Sequence, residues 1–566
     1  MTNISDLRSC HMCTKNGNFQ KLTSRIHACD HLLVMMISCV LFLSIVGPLC
    51  ASLKRSSEPQ RIAAPDAVSN SLWPLPASVT ASGPRLSVSP AFVIQTSSKS
   101  GVVKRGITRY LEIILRKIGG NQVHNPSEKS ETLTELVLNV RSDAEILSVE
   151  TSYWYMLNIT NGQANIEAKT PYGALYGMET FTQLIESGSV INSVVTIDDE
   201  PRYVHRGLML DTGRRYFPLE LLYNILDGMS SVKLNVFHFH FADFCRFSVQ
   251  SKLYPDLRNN ESQFYSQEQV KSLVSFAADR GIRVIPEVES AFHVLGMIGL
   301  ENKTKGLYFC NNSMGYVELY NDPEGVTMNT MKGILEEMMT LFPDQYFHLG
   351  LDEVITTSLC TLEKTKELEQ ELLKFLQQKG KTPYAWQEAL LSTAAAINGT
   401  VLQAWKGVSL KTLIDKGFQV INALQNYFYL NVLSNASVSW TDIATGLNPN
   451  EQTMLLGGEM AMWTDDYCFV SQCFLYKRAK PVAWWMYGPD AESQFTESVS
   501  GIIWPRAIVG AGSFWNYQAD LKPDSPEFQM RVDSQHKRMI ERGILTCPMG
   551  CKCDYLSRCG QSYPHP

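Results

Sequence analysis

The stretch Tyr346-Phe347-His348-Leu349-Gly350-Leu351-Asp352-Glu353-Val354 is an apolar run that ends in two adjacent carboxylates. Buried charge is costly. A strand that delivers Asp352 and Glu353 to its C-terminal end therefore reads as a barrel strand presenting an acid and a charge stabiliser to a pocket. The plainer alternative is a strand followed by a helix with acidic residues in its first turn, which the helix dipole favours. Neighbouring side chains on a regular strand point to opposite faces, so both carboxylates reach one pocket only where the backbone leaves the pleat.

Outward from this stretch, the chain from His205 onward alternates apolar strands with amphipathic helices. Eight strands are expected: Gly207 to Asp211, Leu234 to Phe241, Ile282 to Pro286, Tyr346 to Gly350, Tyr384 to Gln387, Val401 to Trp405, Gln419 to Leu424 and Met454 to Glu459. Between them, Ser266-x-x-Gln269 forms a capping-box pattern, and Gly380 and Gly417 follow helical stretches. Eight such units over roughly 300 residues predict an α/β fold of the (β/α)8 barrel type, with its site at the C-terminal ends of the strands. Asp211, Asp243, Glu287, Glu289, Asp352, Glu353, Glu388, Trp405, Glu459 and Asp465 fall at or just past those ends. A doubly wound open sheet is the alternative, although it does not need polar residues after every strand.

Upstream, short alternating strands such as Leu136 to Val140 and Tyr155 to Ile159 mix with helical stretches around Ile107 to Ile118 and Tyr172 to Glu186, which predicts a small α+β domain. The expected division is a leader (1–52), a Ser- and Pro-containing linker (53–68), the α+β domain (69–202), the barrel (203–545) and a cysteine-rich tail (546–566).

Composition narrows the function. A hydrophobic share of 45% and a charged share of 19% belong to a folded globular chain. A net charge of -6 and a pI near 6.0, with no long basic run, argue against a nucleic-acid partner. Leu32 to Val46 is unbroken by charge, preceded by Lys21 and Arg25 and followed by the small residues Cys50, Ala51 and Ser52, which is the layout of a signal sequence. Its long polar leader leaves a type II membrane anchor as the alternative, and either way the remainder is exported. Sequons at Asn158, Asn260, Asn302, Asn311, Asn398 and Asn435 fit the secretory pathway, whether the chain is secreted, vacuolar, lysosomal or anchored.

Of 14 cysteines, Cys10, Cys13, Cys29, Cys39 and Cys50 lie in or before the leader. The remainder is odd in number, so one is expected unpaired. Cys547, Cys551, Cys553 and Cys559 crowd the C-terminus and Cys468 and Cys473 sit close together, which reads as disulfide stapling, with a zinc knuckle at the tail as the lesser option. Cys310 and Cys360 bracket the acidic stretch and are expected to pair, leaving Cys245 as the free thiol.

Tyr346 to Val354 resembles the His-x-Gly-Gly-Asp-Glu-Val signature of family 20 glycoside hydrolases, the β-N-acetylhexosaminidases, and the resemblance runs from about Trp73 to Cys559. Pro201 to Gly207 with Leu210-Asp211-Thr212-Gly213-Arg214 resembles the family's first strand, and the resemblance implies that Arg206 holds hydroxyls 3 and 4 of the terminal sugar. Asp243 and His293 match supporting residues, Glu289 stands where the family has Asp, and Phe244, Ala291-Phe292 and Leu351 replace a second acid, a Pro-Gly and a Gly. Trp386, Trp405 and Trp463 match three pocket tryptophans. Tyr429 matches a strand-seven tyrosine, Asn431 the position near the 6-substituent, and Asp465 a Glu that meets the 4-hydroxyl.

The resemblance implies an exo-acting, retaining hydrolysis of terminal β-linked GlcNAc or GalNAc, with no cofactor and no metal. Its partners are glycan chain ends: N-glycans, chito-oligosaccharides or glycoconjugates. A homodimer is left open. In this family the substrate's acetamido carbonyl is the nucleophile. Glu353 is then the general acid, Asp352 orients the amide and stabilises the oxazolinium, and Tyr429 hydrogen-bonds the carbonyl oxygen. The alternative is a weakly active or inactive homologue that binds such glycans as a lectin.

Overall fold

The computed structural model describes residues 71–119, 132–257, 263–301, 303, 306–311, 317–433, 435–465, 499–544 and 546. The leader, the linker, Asn260, Asn302, the side chain of Asn311, and Cys468, Cys473, Cys547, Cys551, Cys553 and Cys559 lie outside them. The described residues all belong to one structural unit.

Eight parallel strands close into a barrel in sequence order: His205–Asp211, Val236–Ala242, Arg283–Val288, Tyr346–His348, Thr382–Trp386, Val401–Ala404, Gln419–Asn422 and Leu455–Met462. Each expected strand is present, with ends shifted by a few residues. The second strand shows how sequence dictates orientation. Phe237, Phe239 and Phe241 point outward into the core shared with the helices. Val236, His238 and His240 point into the barrel, so both faces of the strand are buried. The expected capping box forms, with Ser266 accepting from Gln269 N–H and Gln269 accepting from Ser266 N–H, and it starts the helix Gln267–Ala278.

The barrel interior is layered. Its floor is apolar, built from Val236, Ile285, Tyr346, Tyr384, Val401, Ile421 and Leu456. Its middle is a buried network of histidines and carboxylates. There Glu459 accepts from or pairs with His205 Nε2 (2.8 Å), His238 Nδ1 (2.7 Å) and Gln403 Nε2 (2.8 Å). Its top is aromatic, with Trp386, Tyr429 and Trp463.

Residues 78–199 form a mixed eight-stranded sheet with the helices Gly101–Gly119 and Pro171–Gln183 packed on it. This domain seals the N-terminal end of the barrel, which corrects the assignment of Arg206. Arg206 is the second residue of the first strand, so it lies at the floor, fully buried. Its guanidinium donates to Lys233 O (3.0 Å) and Tyr203 O (2.6 Å) and stacks 4.9 Å from Tyr153 and 5.2 Å from Trp515. A sugar at the opposite end cannot reach it.

Cys310 and Cys360 are bonded, with a Cα–Cα distance of 6.0 Å. Cys245 is disulfide-bonded as well, so it is not the odd thiol expected from the count; it is buried in the loop after the second strand, where a thiol paired off from solvent is readily bridged. Asn398 and Asn435 are exposed, whereas Asn158 is half-buried in the strand Tyr155–Thr160. Among the described residues no helix is long and apolar enough to cross a membrane.

Candidate active site

The fourth strand ends at His348 because the backbone turns left-handed. Gly350, Leu351 and Glu353 have φ of 71°, 73° and 51°. This break in the pleat lets successive carboxylates share a site. Gly350 is required there: a Cβ would lie 1.9 Å from Glu289 Oε2. Leu351 adopts the same left-handed region with its side chain fully buried in the core, so packing offsets a conformation that costs an L-residue about 1–2 kcal/mol. Beyond it, Glu318 Oε1 accepts from Ile355 N–H (3.1 Å) and the Cys310–Cys360 bridge anchors the loop.

The two carboxylates have opposite environments. Asp352 is buried, and burial together with Glu287, Glu353 and Asp243 raises it to about 6 against the opposing pull of His293. Glu353 is about half exposed. Its hydrogen bond from His293 and the Lys406 ammonium (Nζ–Oε1 3.0 Å) hold it down at about 2. Between about pH 2 and about pH 6 the pair carries one proton, and in the free protein that proton rests on Asp352. His293 stands between them, 3.8 Å from Asp352 Oδ2 and 3.5 Å from Glu353 Oε2, and 3.7 Å from Asp243 Oδ1. Phe244 and Phe292 pack edge-on against its ring at 4.6 Å and 4.5 Å, which accounts for two of the expected departures from the family pattern as a wall for this histidine.

Asp243 Oδ2 lies 2.8 Å from His240 Nε2 and 3.0 Å from the guanidinium of Arg214. Arg214 also donates to Asp211 (3.1 Å) and stacks 5.0 Å from Trp463. It sits three residues beyond the end of the first strand, on the pocket side. Below it, His238 would be neutralised by burial alone, but Glu459 and Glu287 outweigh this and push it up to about 9. Glu287 in turn accepts from the indole N–H of Trp386 (2.8 Å), so the charged middle layer orients the aromatic top. Glu289 is buried, and burial plus the adjacent Asp352 raises it well above the carboxylate range, so it sits beside the pair as a neutral acid. Several trios here are close enough to ligate a metal, including His238, Glu287 and His348 and also His293, Asp352 and Glu353, but their facing atoms are largely committed to one another.

Trp386 and Trp463 rings lie 5.8 Å apart, and Trp405 stacks parallel to Tyr429 at 5.9 Å. Trp405 Nε1 donates to both oxygens of Glu388 at 3.0 Å. Asn431 is half-buried beyond Tyr429, and Asp465 is exposed at the end of the eighth strand. The structure thus gathers Asp352, Glu353, His293, Asp243, Glu289, Trp386, Trp405, Trp463 and Tyr429, and excludes Arg206. The expectation gave no role to Arg214 or Lys406 and marked Glu388 only as a strand-end residue. All three stand just past strand ends, the one signal that separates pocket residues from floor residues in a barrel.

A closed (β/α)8 barrel with two carboxylates after its fourth strand and an aromatic pocket around them is an arrangement that suits a glycosidase. The sequence profile described as glycosyl hydrolase family 20, catalytic domain, matches residues 203–518, and one described as beta-acetyl hexosaminidase like matches residues 72–184. The chain belongs to glycosyl hydrolase family 20 and is a hydrolase of the β-N-acetylhexosaminidase type. It is 30% identical over 492 residues to beta-hexosaminidase 1 of Arabidopsis thaliana, covering 79% of this chain and 84% of that one. It is 27% identical over 525 residues to the human beta-hexosaminidase subunit beta, covering 84% and 88%. The fold matches the crystal structure of β-N-acetylhexosaminidase from Bacteroides fragilis with a TM-score of 0.67 at 21% identity, covering 86% of this chain and all of that one. A mutant Streptomyces plicatus β-hexosaminidase in complex with GlcNAc gives a TM-score of 0.67 at 18% identity, covering 86% and 98%.

Proposed function

We propose that the protein removes terminal, non-reducing β-linked GlcNAc or GalNAc from glycan chains by a retaining, substrate-assisted mechanism. The observation that carries this is the pairing of Asp352 and Glu353 on a broken strand end beside a cage of Trp386, Trp405, Trp463 and Tyr429. Aromatic faces suit the C–H face of a pyranose, and a small apolar cage suits an acetamido methyl. Arg214 replaces Arg206 as the residue that binds the sugar's outer hydroxyls, with Asp465 beside it. Asn431 approaches the 6-position.

Binding sets the proton in place. Asp352, ionised, accepts from the substrate amide N–H, and the proton of the pair passes to Glu353. Glu353 then protonates the departing oxygen while the acetamido carbonyl closes on the anomeric carbon. Tyr429 hydrogen-bonds that carbonyl oxygen. Water opens the oxazolinium with Glu353 as base. The apolar leader, the exposed sequons Asn398 and Asn435 and the disulfide support an exported enzyme of an oxidising compartment.

Release of a chromogenic phenol from its β-GlcNAc glycoside tests the reading, with Glu353→Gln and Asp352→Asn as controls. A competing reading, a glycan-binding protein without turnover, is favoured by the ion pair that keeps Glu353 unprotonated in the free state. The two separate on a thiazoline analogue of the cyclic intermediate. An enzyme binds it far more tightly than GlcNAc, because it mimics a state the pocket must stabilise. Equal affinity without phenol release would establish the binder.

A further inference from the structure

We infer that Lys406 is a specificity residue for the leaving sugar, recognising a carboxylate on a hexuronate in that position, and that this recognition frees Glu353 to act. The inference rests on the reading of Glu353 as the general acid. A general acid protonates the glycosidic oxygen, so the leaving residue lies on the Glu353 side of the site. Lys406 flanks that side. Its Nζ is 3.0 Å from Glu353 Oε1 and 3.7 Å from the centre of the Trp405 ring, and its side chain is 40% exposed.

The position of Lys406 is built rather than incidental. Gln387 fixes its backbone from both sides, accepting from Trp405 N–H (3.0 Å) and donating to Lys406 O (2.6 Å). Trp405 is tied in turn to Glu388. A cation fixed over the face of one pocket tryptophan and facing open space is a receptor for an anion.

In the free protein Lys406 works against catalysis. Lys406 and His293 favour the ionised form of Glu353, while Asp352, itself facing Glu287, Asp243, Glu289 and, further off, Glu388, disfavours charge nearby. A carboxylate on the leaving sugar competes with Glu353 for Lys406 Nζ. When it wins, Glu353 loses one of the two partners that keep it ionised and can receive the proton held by Asp352. No atom is transferred to the ligand in this exchange; one ion pair replaces another.

The test compares two disaccharides that share one linkage, GlcNAc β-linked to the 4-position of glucuronate and of glucose, in the wild type and Lys406→Gln. The wild type should favour the glucuronate substrate in kcat/KM by about fivefold, the scale of an exposed ion pair. Lys406→Gln should lower kcat/KM for the glucuronate substrate and raise it for the glucose substrate at the same pH. Its basic limb on the glucose substrate should also move to higher pH, because loss of the ammonium lets Glu353 keep its proton longer. Opposite signs on two substrates cannot come from a general loss of structure. A wild type that prefers glucose, or a variant in which both rates fall together with the limb unmoved, overturns the inference. Phenol release from the neutral β-GlcNAc glycoside by the wild type checks the underlying activity separately: no release there would sink the enzymatic reading itself.

Discussion

At the residue scale, Arg206 on the first strand and Arg214 in the loop after it should separate a structural role from the proposed binding role. Arg214→Met removes a guanidinium that faces the pocket between Asp211, Asp243 and Trp463, and should lower kcat/KM by roughly 10- to 100-fold, the equivalent of one or two charge-assisted hydrogen bonds. Arg206→Met empties a fully buried cradle at the floor. It should lower the melting temperature, by about 2 kcal/mol of stability, and leave KM unchanged. Chromogenic kinetics beside thermal melts would show the split, and a raised KM in Arg206→Met would return that residue to the site. Leu351→Gly weighs two opposing effects. Relief of the left-handed conformation gains about 1–2 kcal/mol, whereas loss of a fully buried leucine costs about 2–5 kcal/mol. The cavity should prevail, lowering stability by roughly 2 kcal/mol and the rate with it. Higher activity at an unchanged melting temperature would mean that Leu351 merely crowds the acid pair.

At the element scale, the helix Leu362–Gln378 carries Glu369 on its inner face, where, among the described residues, the Thr393 hydroxyl is the one hydrogen-bond partner of its carboxylate. Burial pushes this carboxyl up to about 8. The folded value exceeds the unfolded one, so its stabilising contribution is complete below about pH 4.3 and is lost as pH rises through about 8. Glu369→Gln keeps the acceptor and removes the charge. The variant should match the wild type in acid and melt at a higher temperature at pH 8, which a pair of melting curves would reveal. Melting temperatures that stay parallel at both pH values would place the ionisation of Glu369 elsewhere. Helices of this kind were legible from their apolar spacing and capping residues; the pairing of Glu369 with Thr393 was not, since the two meet only when the following strand returns.

At the scale of the whole molecule, the acid pair and its surroundings set the pH dependence of the enzyme. Asp352 at about 6 and Glu353 at about 2 share one proton across the interval between them. In the proposed mechanism that proton must reach Glu353, and above about pH 6 the pair loses it. The profile of kcat/KM on a neutral β-GlcNAc glycoside should therefore fall from about pH 6 upward, tenfold per pH unit. A flat profile through pH 8 would show that the free-state ionisation does not limit the reaction. Stability points the same way: burial also raises Glu318 and Glu388 to about 7, so these groups, like Glu369, favour the folded state in acid and lose that contribution as pH rises.

The barrel was legible in the sequence, because eight apolar runs spaced by helix signals, with polar residues at the ends of most of them, fit a closed barrel better than a doubly wound open sheet. The acid pair was legible as a candidate, because an apolar run ending in two carboxylates fits a catalytic pair as well as an acidic first helical turn, and the resemblance to the family signature decided between them. Cys310 and Cys360 were within reach of the same reasoning, since they flank one loop. Three things were decided only by tertiary structure. Arg206 and Arg214 are eight residues apart on one strand and its loop, and only the direction of that strand in the closed barrel sends one to the floor and the other to the pocket. The left-handed turn at Gly350 and Leu351 is a local conformation that leucine does not announce, because it is held by burial of that side chain in the core. The ionisation of Glu353 depends on His293 and Lys406, which are remote in sequence and reach it from the ends of the third and sixth strands. Charge effects act through space, and space is what the fold supplies.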